Sequence, residues 1–191
     1  MKTAQPKFIV GIGGSAGALN AYRALLEELP PDTGMAYVII SHMNPTAYSQ
    51  LANILQRHTK MSVTVASEAM PILANHVYVI PPDSDLTMEN YCFKVISPRS
   101  HGHKQVDLFF ISLANEMAER AVGIVLSGYD GDGTVGCKHI KDNGGITFAQ
   151  DHSAEVDSMP LHAQAAGCVD FVLPLNKIPD KLKSLEAALK I

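Results

Sequence analysis

Residues 13–17 read Gly13-Gly14-Ser15-Ala16-Gly17, a serine between glycines at the spacing G-x-S-x-G. Small neighbours at that spacing permit a sharp strand-to-helix turn that holds a hydroxyl clear of a sheet, as in a nucleophile elbow. A serine hydroxyl is a weak nucleophile at neutral pH and needs an adjacent base. Imidazole, with a pKa of about 6.5, can take and return its proton. A carboxylate on the far ring nitrogen would fix the tautomer and stabilise the imidazolium. Candidates for both roles close other apolar runs. His42 follows Tyr37-Val38-Ile39-Ile40-Ser41, and Asp130 and Asp132 lie in the turn after Val122-Gly123-Ile124-Val125-Leu126. Open α/β sheets bind ligands beyond the carboxyl ends of their strands, so these three ends could converge on one site.

The same turn admits other readings. Gly11-x-Gly13-x-x-Ala16 fits a loose dinucleotide fingerprint, which would place a pyrophosphate on the following helix N-terminus, and glycine-rich strand-to-helix turns are also common as plain structure. A dinucleotide fold should present Asp or Glu at the end of its second strand for the ribose, and Ser41-His42 stands there instead. Taken singly, His42 is one of eight histidines, and Asp130 and Asp132 are of a type that commonly caps turns. It is the coincidence of three loaded strand ends that supports a joint role. His101-Gly102-His103 suggests a metal, but no third ligand stands at a recognisable spacing, so neither metal nor cofactor is expected.

The elements that would position these residues follow from periodicity. Phe8, Ile9, Val10 and Ile12 form a short buried-strand pattern, and Leu19, Tyr22, Leu25, Leu26 and Leu29 recur at helical spacing after Ser15. The first backbone N–H groups of that helix would favour negative charge developing above the serine. Further strands are expected at 36–40, 63–65, 77–80, 122–126, 146–149 and 169–173, with helices at 50–57, 134–143, 159–166 and 178–189. Leu86 to Met88 and Phe93 to Ile96 read as an antiparallel hairpin. Val106, Phe109, Phe110, Leu113 and Met117 mark a long helix with a core-facing stripe. Alternating strands and helices predict an α/β fold with a mainly parallel, doubly wound sheet covered on both faces.

Composition bounds the alternatives. The 191 residues are 47% apolar and 18% charged, which suits a single globular domain over 1–191 with a sizeable core. A net charge of -4 without a basic run gives no electrostatic case for nucleic acid. Cys92, Cys137 and Cys168 are odd in number and widely spaced, so no disulfide framework or CxxC metal site is indicated and a reducing cytoplasm is expected. Met1 to Lys7 are too short for a signal peptide, and no apolar run approaches the length of a membrane span, so membrane insertion is not expected.

Gly13-Gly14-Ser15-Ala16-Gly17, Ser41-His42-Met43, Leu126-Ser127-Gly128-Tyr129-Asp130-Gly131-Asp132-Gly133 and Ser158-Met159-Pro160 resemble, in the same order, four signature segments of the catalytic domain of CheB-type chemotaxis receptor methylesterases. The likeness runs from about Phe8 to Leu189 and is greatest to the esterase module of hybrids that join a methylesterase to a methyltransferase. It implies a parallel α/β sheet with a hairpin, and a serine hydrolase that removes methyl esters from glutamates of chemoreceptors, many members also deamidating glutamines. The resemblance puts the nucleophile on Ser15, the base on His42 and the orienting carboxylate on Asp132. Asp130, in a second Asp-Gly pair, remains the alternative carboxylate. Backbone N–H groups of Ala16 and Tyr129 are the implied oxyanion donors. Implied partners are methylated cytoplasmic receptor helices and a fused or separate methyltransferase or receiver domain, although no receiver domain is expected within 1–191.

The chain departs from the family's usual pattern at Ala16 and Ala18, at Ser41, at Tyr129-Asp130 where Met or Thr is usually followed by Gly, and at Leu161. These changes surround the substrate position. They keep open a second reading, a catalytically weak sensory or interaction module that binds a receptor helix or signalling partner in the same groove.

Overall fold

The computed structural model describes residues 4–42 and 45–188. Met43 of the second signature segment, and Leu189, where the last helix and the family likeness were expected to end, lie outside the described residues. The strands are β1 (Ile9–Gly14), β2 (Ala36–Ser41), β3 (Ser62–Val65), β4 (His76–Val79), β5 (Asp85–Glu89), β6 (Cys92–Ile96), β7 (Ala121–Val125), β8 (Ile146–Gln150) and β9 (Phe171–Leu173). The helices are α1 (Ala18–Glu28), α2 (Pro45–Gln56), α3 (Gln105–Met117), α4 (Thr134–Asp142), α5 (Ser158–Ala165) and α6 (Ile178–Ala188).

A seven-stranded sheet runs in the order β3-β4-β2-β1-β7-β8-β9, and each neighbouring pair is parallel. β5 and β6 form a separate antiparallel hairpin, with Asp85 opposite Ile96. All residues of β1, β2 and β7 are buried, which explains why their sequences are nearly continuous apolar runs without alternation: both faces are covered.

Successive residues of each strand feed opposite cores. Val10, Ile12, Tyr37 and Ile39 pack with α1, α2 and α6, while Ile9, Val38 and Ile40 pack with α3, α4 and the hairpin. The first helix turns Ala18, Ala21, Tyr22, Leu25 and Leu26 inward at i, i+3, i+4 spacing. Phe109 and Phe110 on α3 are fully buried, each contributing on the order of 1.5–3 kcal/mol of hydrophobic stabilisation. Since α1 follows β1 on one face and α3 precedes β7 on the other, the connections diverge beside β1, the position at which such sheets form a crevice.

The glycines of β1 have a packing role. A Cβ on Gly11 would stand 2.7 Å from Phe110 Cε1, and one on Gly13 would stand 2.4 Å from Val106 Cγ1. Both lie within the strand rather than in the turn, and their bareness lets α3 seat against the sheet. The Gly-x-Gly spacing therefore reports close helix packing, and the turn that a dinucleotide loop requires begins only after Gly14.

Element boundaries differ from expectation in a few places. β1 continues through Gly14, and the second helix starts at Pro45 rather than Gln50, since proline needs no amide partner in a first turn. The last strand begins at Phe171 rather than Val169. Asp170 there donates its N–H to Thr147 Oγ1 while its own carboxylate accepts from the Thr147 N–H at 3.0 Å.

Candidate active site

The three loaded strand ends lie side by side. β2, β1 and β7 are adjacent at the centre of the sheet, and Gly14 is in register with Ser41. The His42 N–H donates to the Gly14 carbonyl at 3.2 Å, and the Ser15 N–H donates to the Ser127 carbonyl at 2.8 Å. Ser15 is thus fixed between the residues that follow β2 and β7.

The Ser15 turn is laced to two neighbouring loops. Gly17 adopts φ +74°, which lets the chain reverse into α1. Ser127 Oγ donates to the Ala16 carbonyl at 2.7 Å and accepts the Val156 N–H at 2.9 Å. Gly128 packs so closely that a Cβ would come 2.0 Å from Met159 Sδ and 3.0 Å from Ser15 Cβ. Among the described residues, the backbone N–H groups of Ala16 and Tyr129 donate to no backbone carbonyl.

His42 and Asp132 are in contact. His42 Nε2 lies 2.5 Å from Asp132 Oδ2, with both side chains almost sealed from water at 4% and 2% exposure. Asp130 Oδ2 stands 3.5 Å from Nδ1 and is 44% exposed. The Asp132 contact is short but oblique, and among the described residues neither ring nitrogen has a partner in hydrogen-bond geometry, Ser15 Oγ included. Burial by itself would lower the His42 pKa. The contact with Asp132, the charge of Asp132 and then that of Asp130 outweigh burial and the opposing charge of Arg99, so the pKa is raised above its usual 6.5.

Asp132 is anchored by an exchange between two helix N-termini. Its carboxylate accepts the Val106 and Asp107 N–H groups at the start of α3, each at 2.9 Å. Asp107, in that same first turn, accepts the N–H groups of Gly133 at 2.9 Å and Gly136 at 2.8 Å at the start of α4. Each helix end receives a carboxylate, the favourable sign for its dipole. Burial, followed by repulsion from Asp132 once the opposing Gly136 bond is counted, raises the Asp107 pKa. Sequence reasoning had no role for Asp107. The available signal was an acid in a first helical turn, but its target is a helix 27 or more residues further on in sequence.

The loop before α3 completes the site. The His103 ring lies 5.9 Å from that of His42, edge to face. An open cleft of about 410 Å3 runs past His103, Lys104, Asp130 and Asp132. A larger cavity, about 630 Å3, lies between the hairpin and the far half of α3, away from these strand ends. In the loop before α3, His101 Nδ1 contacts Asp85 Oδ2 at 2.8 Å. Among the described residues no group of His, Cys, Asp or Glu forms a metal-holding cluster, and no helix is long and apolar enough to cross a membrane. Tyr129 is 71% exposed and Leu161 49%, so two of the residues that depart from the family pattern present apolar surface to solvent.

A mainly parallel sheet whose adjacent central strands end in a serine, a histidine and the aspartate paired with it has the layout of an α/β ester hydrolase. Comparison with known proteins gives the family. The CheB methylesterase family model matches residues 10–182, and the chain belongs to that family. A Leptospira interrogans protein, provisionally named protein-glutamate methylesterase/protein-glutamine glutaminase, is 32% identical over 88% of this chain and 90% of its own length. A protein-glutamate methylesterase/protein-glutamine glutaminase of Hydrogenovibrio crunogenus is 34% identical over 93% of this chain, which spans 49% of that protein's length. The crystal structure of the Thermotoga maritima CheB methylesterase catalytic domain superposes with a TM-score of 0.86 at 28% identity, covering 95% of this chain and all of that one.

Proposed function

We propose that the chain is a serine esterase that removes methyl esters from glutamate side chains of chemotaxis-type receptors and can deamidate receptor glutamines. Ser15 is the nucleophile, His42 the base and Asp132 the orienting carboxylate. The observation that carries this reading is the buried His42–Asp132 pair at the strand end next to Ser15. Asp132 is favoured over Asp130 because it is the closer and the buried partner.

In this mechanism Ser15 Oγ attacks the γ-carbonyl carbon while His42 takes its proton. The negative charge that develops on the carbonyl oxygen is met by the Ala16 and Tyr129 N–H groups; donors of this kind are each worth about 10²–10³ in turnover. His42 then returns the proton to the leaving methoxide, and methanol departs. Water, deprotonated by the same ring, attacks the acyl-enzyme and frees the carboxylate and the serine. A glutamine substrate would release ammonia in place of methanol by the same steps. No step requires a cofactor.

The partners implied are the cytoplasmic helices of methylated receptors. Relatives about twice as long as this chain support a receiver or methyltransferase domain, fused or separate, as a second kind of partner.

Methanol release from a methylated receptor fragment tests the proposal directly. Ser15→Ala is expected to reduce turnover by about 10⁶-fold, the usual cost of losing the nucleophile of such a triad. Equal rates in variant and wild type would end the esterase reading. Tyr129 and Leu161, both exposed, would serve docking equally well in a protein without turnover. A serine-directed phosphonate separates the two, since covalent labelling at Ser15 requires an activated hydroxyl.

A further inference from the structure

His42 lies between two carboxylates rather than against one. Asp132 meets Nε2 at 2.5 Å, and Asp130 stands 3.5 Å from Nδ1 on the other side of the ring. Asp130 is aimed: its Oδ1 accepts the Asp132 N–H at 3.0 Å, closing an Asx turn that leaves Oδ2 directed toward His42. The turn ties the two carboxylates together, so the element that presents the orienting group also presents its rival.

For His42 to act on Ser15, one ring nitrogen must be unprotonated and free to face the hydroxyl. With Nε2 committed to Asp132, that nitrogen is Nδ1, and in this arrangement Nδ1 faces Asp130. A ring flanked by two negative groups is favoured as imidazolium, which cannot accept a proton from serine. Among the described residues, the other ionisable groups near the ring are His103, edge-on at 5.9 Å, and Arg99, whose charge opposes protonation.

We propose that Asp130 is a positioning residue that holds Nδ1 protonated and turned from Ser15 in the free protein, so that the competent base forms only when Nδ1 leaves Asp130. The proposal rests on the Ser15–His42–Asp132 reading above. When the imidazolium gives up its Nδ1 proton, Asp130, nearly half exposed, is the group that passes it to water. Neutral Nδ1 is then able to receive the proton of Ser15 Oγ.

Asp130→Asn is the informative variant, since the amide oxygen can still accept the Asp132 N–H while the charge is removed. Asp130→Ser is the second, because serine also closes such a turn. Two measurements apply to each. The His42 imidazole is titrated by NMR, its resonance assigned by its loss in His42→Gln, and the pH dependence of p-nitrophenyl acetate hydrolysis is followed from pH 5 to 9. In both variants the His42 midpoint is expected to move to lower pH. Activity at pH 6 should rise about threefold over wild type, a modest gain because Asp130 is partly solvent-screened, and the gain should vanish toward pH 9.

A midpoint unmoved in both variants would overturn the proposal, as would a gain equal at every pH. A loss in Asp130→Asn as deep as that in Asp132→Asn would also overturn it, by making Asp130 the orienting carboxylate. The midpoint is read without turnover. An inert protein with an Asp130-dependent midpoint would therefore refute the esterase reading and, with it, the claim about the base, leaving only the hold of Asp130 on the ring, whereas an active esterase with an unmoved midpoint would overturn this proposal and leave the esterase reading standing.

Discussion

His42 and His101 each contact a buried aspartate, at 2.5 Å from Asp132 and 2.8 Å from Asp85, yet the two pairs are built differently. Asp85 is surrounded by donors: the Ser100 N–H at 2.9 Å, the Ser100 hydroxyl at 3.0 Å, and Gln105 Nε2 at 3.1 Å, besides His101. Burial would raise its pKa, but the bonds from His101, Ser100 and Gln105 overcome that and hold it at about 2. Its histidine is half in water, at 51% exposure. Asp132 is bound instead by backbone N–H groups at a helix start, and its histidine is enclosed beside a serine. The first pair is a clasp between β5 and the loop that leads into α3. In the second pair the ring is shut away from water and has both nitrogens near carboxylates, so proton affinity is the property that the surroundings adjust. A His–Asp contact alone does not mark a candidate for proton transfer; the surroundings of the ring separate the two pairs.

The comparison breaks or holds most clearly on removing each carboxylate in turn. Asp132→Asn keeps one acceptor oxygen at the α3 N-terminus, where the carboxylate offers Oδ2 to Val106 and Oδ1 to Asp107, and loses its hold on the ring charge. A fall in kcat of about 10⁴-fold on a methylated receptor fragment is expected, as for other triads that lose the orienting carboxylate. A fall of less than tenfold would put the two pairs in the same class. Its stability should fall by about 1–3 kcal/mol, since one buried N–H donor loses its acceptor, less whatever is regained as the repulsion that Asp107 feels from Asp132 is relieved.

Asp85→Asn should show a different profile. A carboxylate held at about 2 in the fold against 3.8 unperturbed stabilises the folded state by about 2 kcal/mol at neutral pH, and urea unfolding at pH 7 should show that loss. Its kcat should stay within about tenfold of wild type. A stable but inactive Asp85→Asn protein would mean that the clasp serves the chemistry and not the fold.

Much of the site was legible because each part of it ends an apolar run. Ser15, His42 and Asp132 follow β1, β2 and β7, whose buried stretches are visible in sequence, and a parallel sheet forces such ends to one edge. The hairpin was equally plain from two short apolar pieces around Glu89-Asn90-Tyr91. What escaped depends on contacts distant in sequence. Gly11 and Gly13 fit a phosphate-loop spacing because spacing does not distinguish a glycine in a turn from one in a strand under Phe110 and Val106. The contact of His101 with Asp85 went unread because the aspartate lies 16 residues earlier, at the start of another element. The exchange between Asp107 and Asp132 is visible only once α3 and α4 are known to start side by side.

The smallest effect is also the one that distinguishes the pairs without any substitution. A base with the ordinary imidazole pKa of about 6.5 would be about one quarter neutral at pH 6. Because Asp132 and Asp130 raise the affinity of His42 in spite of burial, wild-type activity at pH 6 should fall below about a quarter of its alkaline plateau. The same shift has a consequence for stability with the opposite sign. A histidine whose folded pKa lies above its unfolded value stabilises the fold fully below about pH 6.5, and that contribution fades as pH rises through the folded pKa. Activity should therefore grow while stability declines slightly over one range of pH, measured by rate and by urea unfolding on the same samples. The Asp85 clasp acts in another window: its depressed pKa stabilises the fold above about pH 4, and the benefit is lost as pH falls toward about 2. If activity and stability rise together between pH 6 and 8, the His42 pair does not carry the charge that its two carboxylates imply, and the contrast with His101 fails at its electrostatic basis.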